Sequence, residues 1–181
     1  VKDRRFYLKQ ALQVRLAEVH FRAGRFSDAL SLLADLSREL RRLDDKLGLV
    51  EVHLLESRIL FSLKSAAKAK ASLTAARTSA NAVYCPPALL AQLDLQSGLL
   101  HADDGDFVTA YSYFVEALDG FVSIGGSVGA QAALKYMLLC KIMTGQAGTD
   151  DLAAILQSRS GRVFPLAGAQ VDAMMAVAVA Y

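Results

Sequence analysis

The chain has 181 residues, of which 54% are hydrophobic and 21% are charged, and its formal net charge at neutral pH is +2. This composition is sufficient for a sizeable core, and the small net charge gives no overall attraction to nucleic acid or to acidic membranes. Two cysteines do not make a disulfide framework, and no apolar run reaches the roughly 18 residues of a membrane helix. These values indicate a globular protein of a reducing compartment.

Apolar residues recur at helical spacing along the whole chain, and Gly, Pro and polar turn residues interrupt them at regular intervals. No stretch shows the alternation that is typical of a strand. The pattern predicts about nine helices, at 2–23, 26–43, 46–63, 66–83, the two halves of 93–121, 128–143, 150–157 and from 167 onward. The first helix has four apolar marker residues: Phe6, Leu12, Leu16 and Val19.

The stretch 93–121 is the clearest pair of helices. Its two halves are separated by a polar turn in which Gly105 is suited to end one helix and Asp106 to cap the next. The second half has apolar residues at i, i+4, i+7 and i+11, which places them on one helical face: Ala110, Phe114, Ala117 and Phe121. We expect an amphipathic helical hairpin here.

The hairpins repeat with a period of 40 to 41 residues. One slot, early in the second helix of each pair, is always alanine: Ala29, Ala69 and Ala110. A second slot, twelve residues earlier, is always small: Ala17, Ser57 and Gly98. Small residues let two helices approach closely, and the pattern resembles a tetratricopeptide repeat (TPR) with longer helices. We therefore expect an all-α fold, a right-handed α-solenoid of TPR-like hairpins that forms a single domain over 1–181.

Groups that could carry chemistry are few. His101 stands beside several aspartates of a turn, but His20 occupies the equivalent slot of the first repeat, which favours packing over a metal site. Nothing near Cys85 or Cys140 supplies an activating base, so neither is a convincing nucleophile. We expect no catalytic residue, no cofactor and no metal, and hence no enzyme.

Several segments together carry a specific family resemblance: 43–63, 68–87 with its Tyr84-Cys85-Pro86-Pro87 corner, LDLQSGLLHADDGDFVTAYSYFVEALDGF at 93–121, and LKYMLLCKIM at 134–143. They resemble the solenoid of the non-ATPase lid subunits of the 26S proteasome regulatory particle that combine a TPR-like array with a PCI domain, the family counted sixth in the yeast lid. Residues 145–170 match this family poorly. The resemblance implies a PCI domain beyond residue 181.

The resemblance also implies the function. It indicates a non-catalytic scaffold subunit that braces the lid, the ATPase ring and the proteolytic core for ubiquitin-dependent protein degradation. The implied partners are other lid subunits, the ATPase ring and the core-particle α subunits, without nucleic acid, membrane or small-molecule substrate. The implied location is the cytoplasm and the nucleus.

Docking would use exposed basic residues on the second helix and around the fourth: Arg38, Arg41, Arg42, Lys64, Lys68 and Lys70. The alternative for each is an ordinary solvated helix face. Two other functions stay open, a subunit like that of the COP9 signalosome and a general TPR adaptor that binds peptides. The adaptor predicts a groove lined by exposed Asn, Lys and Arg at equivalent positions of the repeats. It is disfavoured because Asn81 is the only asparagine in the chain.

Overall fold

The computed structural model describes residues 2–145 and, beyond them, positions 154, 155, 157, 172–174, 176 and 177. Residues 2–145 form seven helices: α1 Lys2–Arg22, α2 Phe26–Arg42, α3 Lys46–Ser62, α4 Ala66–Asn81, α5 Pro87–Asp103, α6 Phe107–Ser123 and α7 Ser127–Met143. No strand occurs among the described residues. None of the described helices is both long and apolar enough to cross a membrane.

The predicted helices are confirmed with one shift of boundary. The fifth begins at Pro87, several residues before the predicted hairpin, since proline fits the first turn of a helix, where its missing N–H is not needed. The predicted eighth and ninth helices lie mostly outside the described residues. The few described positions within 150–157 and after 167 are helical.

By its contacts the chain divides into two compact units, Val1–Cys85 and Pro86–Tyr181. In the first unit, α1 packs on α2, α2 on α3 and α3 on α4, and α1 also touches α3. In the second unit, α5 packs on α6 and α6 on α7, while α5 also touches α7. Within each unit, turns of three residues join antiparallel neighbours, which confirms the all-α hairpin architecture. The single domain over 1–181 stays a prediction.

The small-residue slots lie where paired helices cross. Ala29, Ala69 and Ala110 are fully buried, as is Ser57, whose hydroxyl donates a 2.8 Å hydrogen bond to the Ala69 carbonyl of the facing helix. A Cβ added at Gly98 would stand 2.5 Å from the Phe114 ring. A larger side chain at these places would push the helices apart, so the predicted role of the slots is confirmed.

The turns share one backbone form. The second residue after the helix end has positive φ, and the N–H that follows bonds back to the carbonyl five residues earlier, as Arg25 does to His20 at 2.9 Å. This is the arrangement that closes many helix C-termini, and glycine adopts it without strain. Two of the turns have a non-glycine residue there, Asp44 and Lys64, with φ of 55° and 58°.

The first helix departs from its predicted pattern. Leu12, Leu16 and Val19 are 59%, 48% and 56% exposed, so these apolar markers do not mark the buried face. The buried face instead contains Ala17, because the repeat needs its small residue where α2 crosses. Gln10 shares that face and is also buried. The α1 helix therefore presents an apolar stripe to solvent.

Candidate docking surface

The end of α5 and the turn before α6 contain the residues considered above for a metal site. His101 Nδ1 lies 3.6 Å from Asp106 Oδ2, and the imidazole stacks on Tyr113 with ring centroids 5.3 Å apart. Asp106 caps α6 by accepting a hydrogen bond from the Thr109 N–H, and its hydrogen bonds to Thr109 lower the pKa of the Asp106 carboxyl. These side chains therefore have structural partners. Within the described part of the chain, no three His, Cys, Asp or Glu residues are grouped to hold a metal ion.

Both cysteines are free and buried. Burial raises the pKa of the Cys140 thiol to about 11, and burial also raises the pKa of Cys85. Thiols with raised pKa values are protonated at neutral pH and are therefore poor nucleophiles. Cys140 belongs to the core of the second unit, together with Phe114 and Leu134.

His53 and Glu56 form a partly buried polar pair on α3 that was not predicted from the sequence. The His53 side chain is 8% exposed, and its Nδ1 lies 3.1 Å from Glu56 Oε2. The hydrogen bond to His53 is the main cause that lowers the pKa of the Glu56 carboxyl, and smaller contributions come from Ser72 on α4 and from the charge of Arg41. The sequence feature that could have indicated this pair is the i, i+3 spacing of His53 and Glu56 on α3. The pair orders the helix packing rather than forming an acid/base site.

The six predicted docking residues all belong to the first unit, but they form two groups. Arg38, Arg41 and Arg42 lie in the last part of α2, next to the turn that leads into α3. The lysines lie in the turn after α3 and in the first part of α4. The 17-residue α3 separates the two groups by about 25 Å. The structure therefore does not bring the six residues into one patch, and their docking role stays a prediction.

The surroundings of the six differ. Arg38 forms an ion pair with Asp35, one turn earlier on the same helix. The Lys64 ammonium lies 5.8 Å from the centroid of the Phe61 ring. Lys70 is half-buried, whereas the three others, Arg41, Arg42 and Lys68, are exposed.

Further cations that were not predicted lie at the lysine end. Because α1 and α3 run parallel, the turns that follow them lie at the same end of the unit, and the Arg58 guanidinium lies 5.8 Å from the Phe21 ring. We call this region the cationic end and define it by five exposed residues: Arg22, Arg25, Arg58, Lys64 and Lys68. Aligning the two hairpin turns in the sequence would have found the group.

The described part of the chain thus has the features of a helical-repeat interaction module: TPR-like hairpins with buried small residues at the crossings, and a charged end. Comparison with known proteins specifies the relatives. The chain is 47% identical over all of its length to the "Probable 26S proteasome regulatory subunit rpn6" of Schizosaccharomyces pombe. It is 50% identical over 99% of its length to the "26S proteasome non-ATPase regulatory subunit 11 homolog" of Arabidopsis thaliana.

The "26S proteasome regulatory subunit RPN6" of Saccharomyces cerevisiae is 45% identical over 99% of the chain. The chain spans 42% of the length of each of these three relatives. A comparison with models of protein families finds no match. The family resemblance seen in the sequence is confirmed over nearly the whole of this chain.

Proposed function

We propose that the chain is part of a non-catalytic structural subunit of the 26S proteasome lid, in which its hairpins brace the lid against the ATPase ring and the proteolytic core. The observation that supports this proposal is the identity of 45–50% to proteins named as 26S proteasome regulatory subunits, over 99% or more of the chain. At that level of identity, two chains have the same fold and the same buried contacts.

The geometry of the hairpins supports a structural role. Fully buried small residues such as Ala29 and Ala69 bring the paired helices close together, and such close packing suits a structural part. The groups with chemical potential are engaged otherwise: Asp106 caps a helix, and Cys140 is a protonated core residue. One relative is named a non-ATPase subunit, which fits the proposed absence of catalysis.

The proposed partners follow from the same assembly. They are neighbouring lid subunits, the ATPase ring and the α subunits of the core particle, and the proposed location is the cytoplasm and nucleus, where that assembly works. The modest net charge of +2 agrees with contacts to proteins rather than to nucleic acid.

Co-sedimentation tests the proposal. The full-length protein that contains this chain is tagged, expressed in its own cells and run on a glycerol gradient, and peptidase activity marks the 26S fractions. We expect the tagged protein to sediment with that activity and to be removed with it by pull-down of the core. Sedimentation only as a free chain would contradict the proposal, and so would sedimentation with a signalosome-sized complex without peptidase activity.

A further inference from the structure

One end of the first unit carries an excess of positive charge. The turns after α1 and α3 lie together there, and these turns and the helix ends beside them contribute the five residues of the cationic end: Arg22, Arg25, Arg58, Lys64 and Lys68. All five side chains are exposed. The contact of Arg58 with the Phe21 ring links the two turns across the helices.

Acidic residues that could neutralise this charge are scarce. No Asp or Glu occurs from Ser57 through Leu93, so α4 and both of its flanks lack acids entirely. At the other turn there are two acids: Asp28, in the first turn of α2, and Glu18, which is shared between Arg22 at 3.4 Å and Arg15 at 3.1 Å. No carboxylate partner for Arg25, Lys64 or Lys68 is found among the residues that the structure describes.

The opposite end of the same unit is different. There Arg38 pairs with Asp35, and Lys46 pairs with Asp44. Asp45 adds a further carboxylate and caps α3 through the Gly48 N–H at 3.0 Å. Charges of both signs therefore alternate at that end, as on an ordinary solvated surface. The excess of positive charge is a property of one end, not of the whole unit.

Helix polarity adds to the positive potential. The starts of α2 and α4 lie at the cationic end, and neither N-cap residue, Arg25 or Ser65, makes a side-chain hydrogen bond to the helix. The starts of α3 and α6 are instead capped by the carboxylates of Asp45 and Asp106. The amino ends of helices carry partial positive charge. Asp28 in the first turn of α2 offsets it there, whereas the first turn of α4 has no acid, so α4 reinforces the cations.

We propose that the cationic end is a docking surface for an acidic patch on a neighbouring protein subunit; this inference rests on the proposed function. Complementary charge steers such contacts and fixes their orientation. A protein is favoured over nucleic acid because the aromatic rings near this end pack within the unit, as Phe21 does on Phe26 with centroids 6.0 Å apart, and do not present faces for base stacking.

The test compares three variants of the full-length protein in 26S assembly. The first reverses charge at the cationic end by R25E, K64E and K68E. The second is a matched control that conserves charge by R25K, K64R and K68R. The third reverses charge at the opposite end by R38E, R41E and R42E. For each, the association of the purified protein with assemblies that lack it is measured at low and at raised ionic strength.

We expect the first variant to associate about tenfold more weakly than the unaltered protein at low salt, with a smaller dependence on salt. The charge-conserving control should match the unaltered protein, and equal urea midpoints should show that all variants fold. Unchanged association of the first variant would overturn this inference while leaving the proposed function in place. An equal or larger loss in the third variant would also overturn it. So would a first variant that keeps its association with the assemblies and loses only the binding of DNA or anionic vesicles, measured in parallel. Failure of the unaltered protein to associate would contradict the proposed function itself.

Discussion

Gly98 shows how a single residue sets the distance between two helices. The ring of Phe114 on α6 occupies the space that a Cβ at position 98 would need, with the nearest ring atom 2.5 Å away. The same slot holds Ala17 and Ser57 in the other repeats, so each hairpin has its own spacing. The Phe114 ring packs directly against the backbone of Gly98, where there is no side chain.

Gly98→Ala is expected to destabilise the second unit by about 1–3 kcal/mol, because the new methyl group collides with a buried ring in a close-packed interior. Urea unfolding of the chain measures the loss. Gly98→Ala combined with Phe114→Leu should recover part of it, since leucine leaves room for the methyl group. Equal stability of Gly98→Ala and the unaltered chain would show that the two helices are farther apart than described.

Glu56 makes the stability of the first unit depend on pH. The folded-state pKa of the Glu56 carboxyl lies below the ordinary value of 4.5, chiefly because of the hydrogen bond to His53. The stabilisation by the ionised carboxylate is therefore fully present above pH 4.5. Stability is lost as the pH falls through the lower, folded-state pKa, because the unfolded chain binds the proton more tightly. Unfolding free energies measured between neutral and acid pH should fall less steeply for Glu56→Gln than for the unaltered chain. Identical slopes would contradict this assignment.

At the scale of the element, α1 differs from the other helices of its unit. Its large apolar residues lie on two faces, and the small residue Ala17 decides which face meets α2. Leu8, Leu12, Leu16 and Val19 are left exposed as a stripe along the other face. Contiguous exposed apolar surface of this kind promotes association.

The double change Leu12→Gln and Leu16→Gln is expected to cost less than about 0.5 kcal/mol per site, because neither side chain is buried. It should also lower the self-association of the 181-residue chain in sedimentation velocity. The matched control is Leu33→Ala on α2, a fully buried site where about 2–5 kcal/mol is expected. A comparable loss of unfolding free energy for the α1 double change and for Leu33→Ala would mean that the α1 stripe is buried in solution.

At the scale of the whole molecule, the sequence predicted those features that local pattern determines. Periodicity located the helices, and the spacing of Ala29, Ala69 and Ala110 identified the crossings, because every hairpin needs the same small residue at the same place. The roles of Gly105 and Asp106 were also predictable from the sequence, since Gly105 ends one helix and Asp106 caps the next.

Features that depend on contacts between distant segments were missed. The buried face of α1 depends on where α2 crosses, and two apolar faces in one helix made the choice ambiguous. The approach of Arg58 to Phe21 joins residues of α3 and α1, and it is visible only when the parallel arrangement of these helices is known. The sequence assigned the six predicted cations to two elements, and the distance that α3 puts between the two groups was not visible in it.

A segment exchange tests the central claim most directly. In S. cerevisiae RPN6, which is 45% identical to this chain, the aligned segment is replaced by residues 1–181, and the chimera becomes the only source of that subunit. If the hairpins act as an interchangeable structural part, the chimera will enter 26S particles and restore their peptidase activity in gradient fractions. A chimera that is folded and abundant but absent from those particles would contradict the claim.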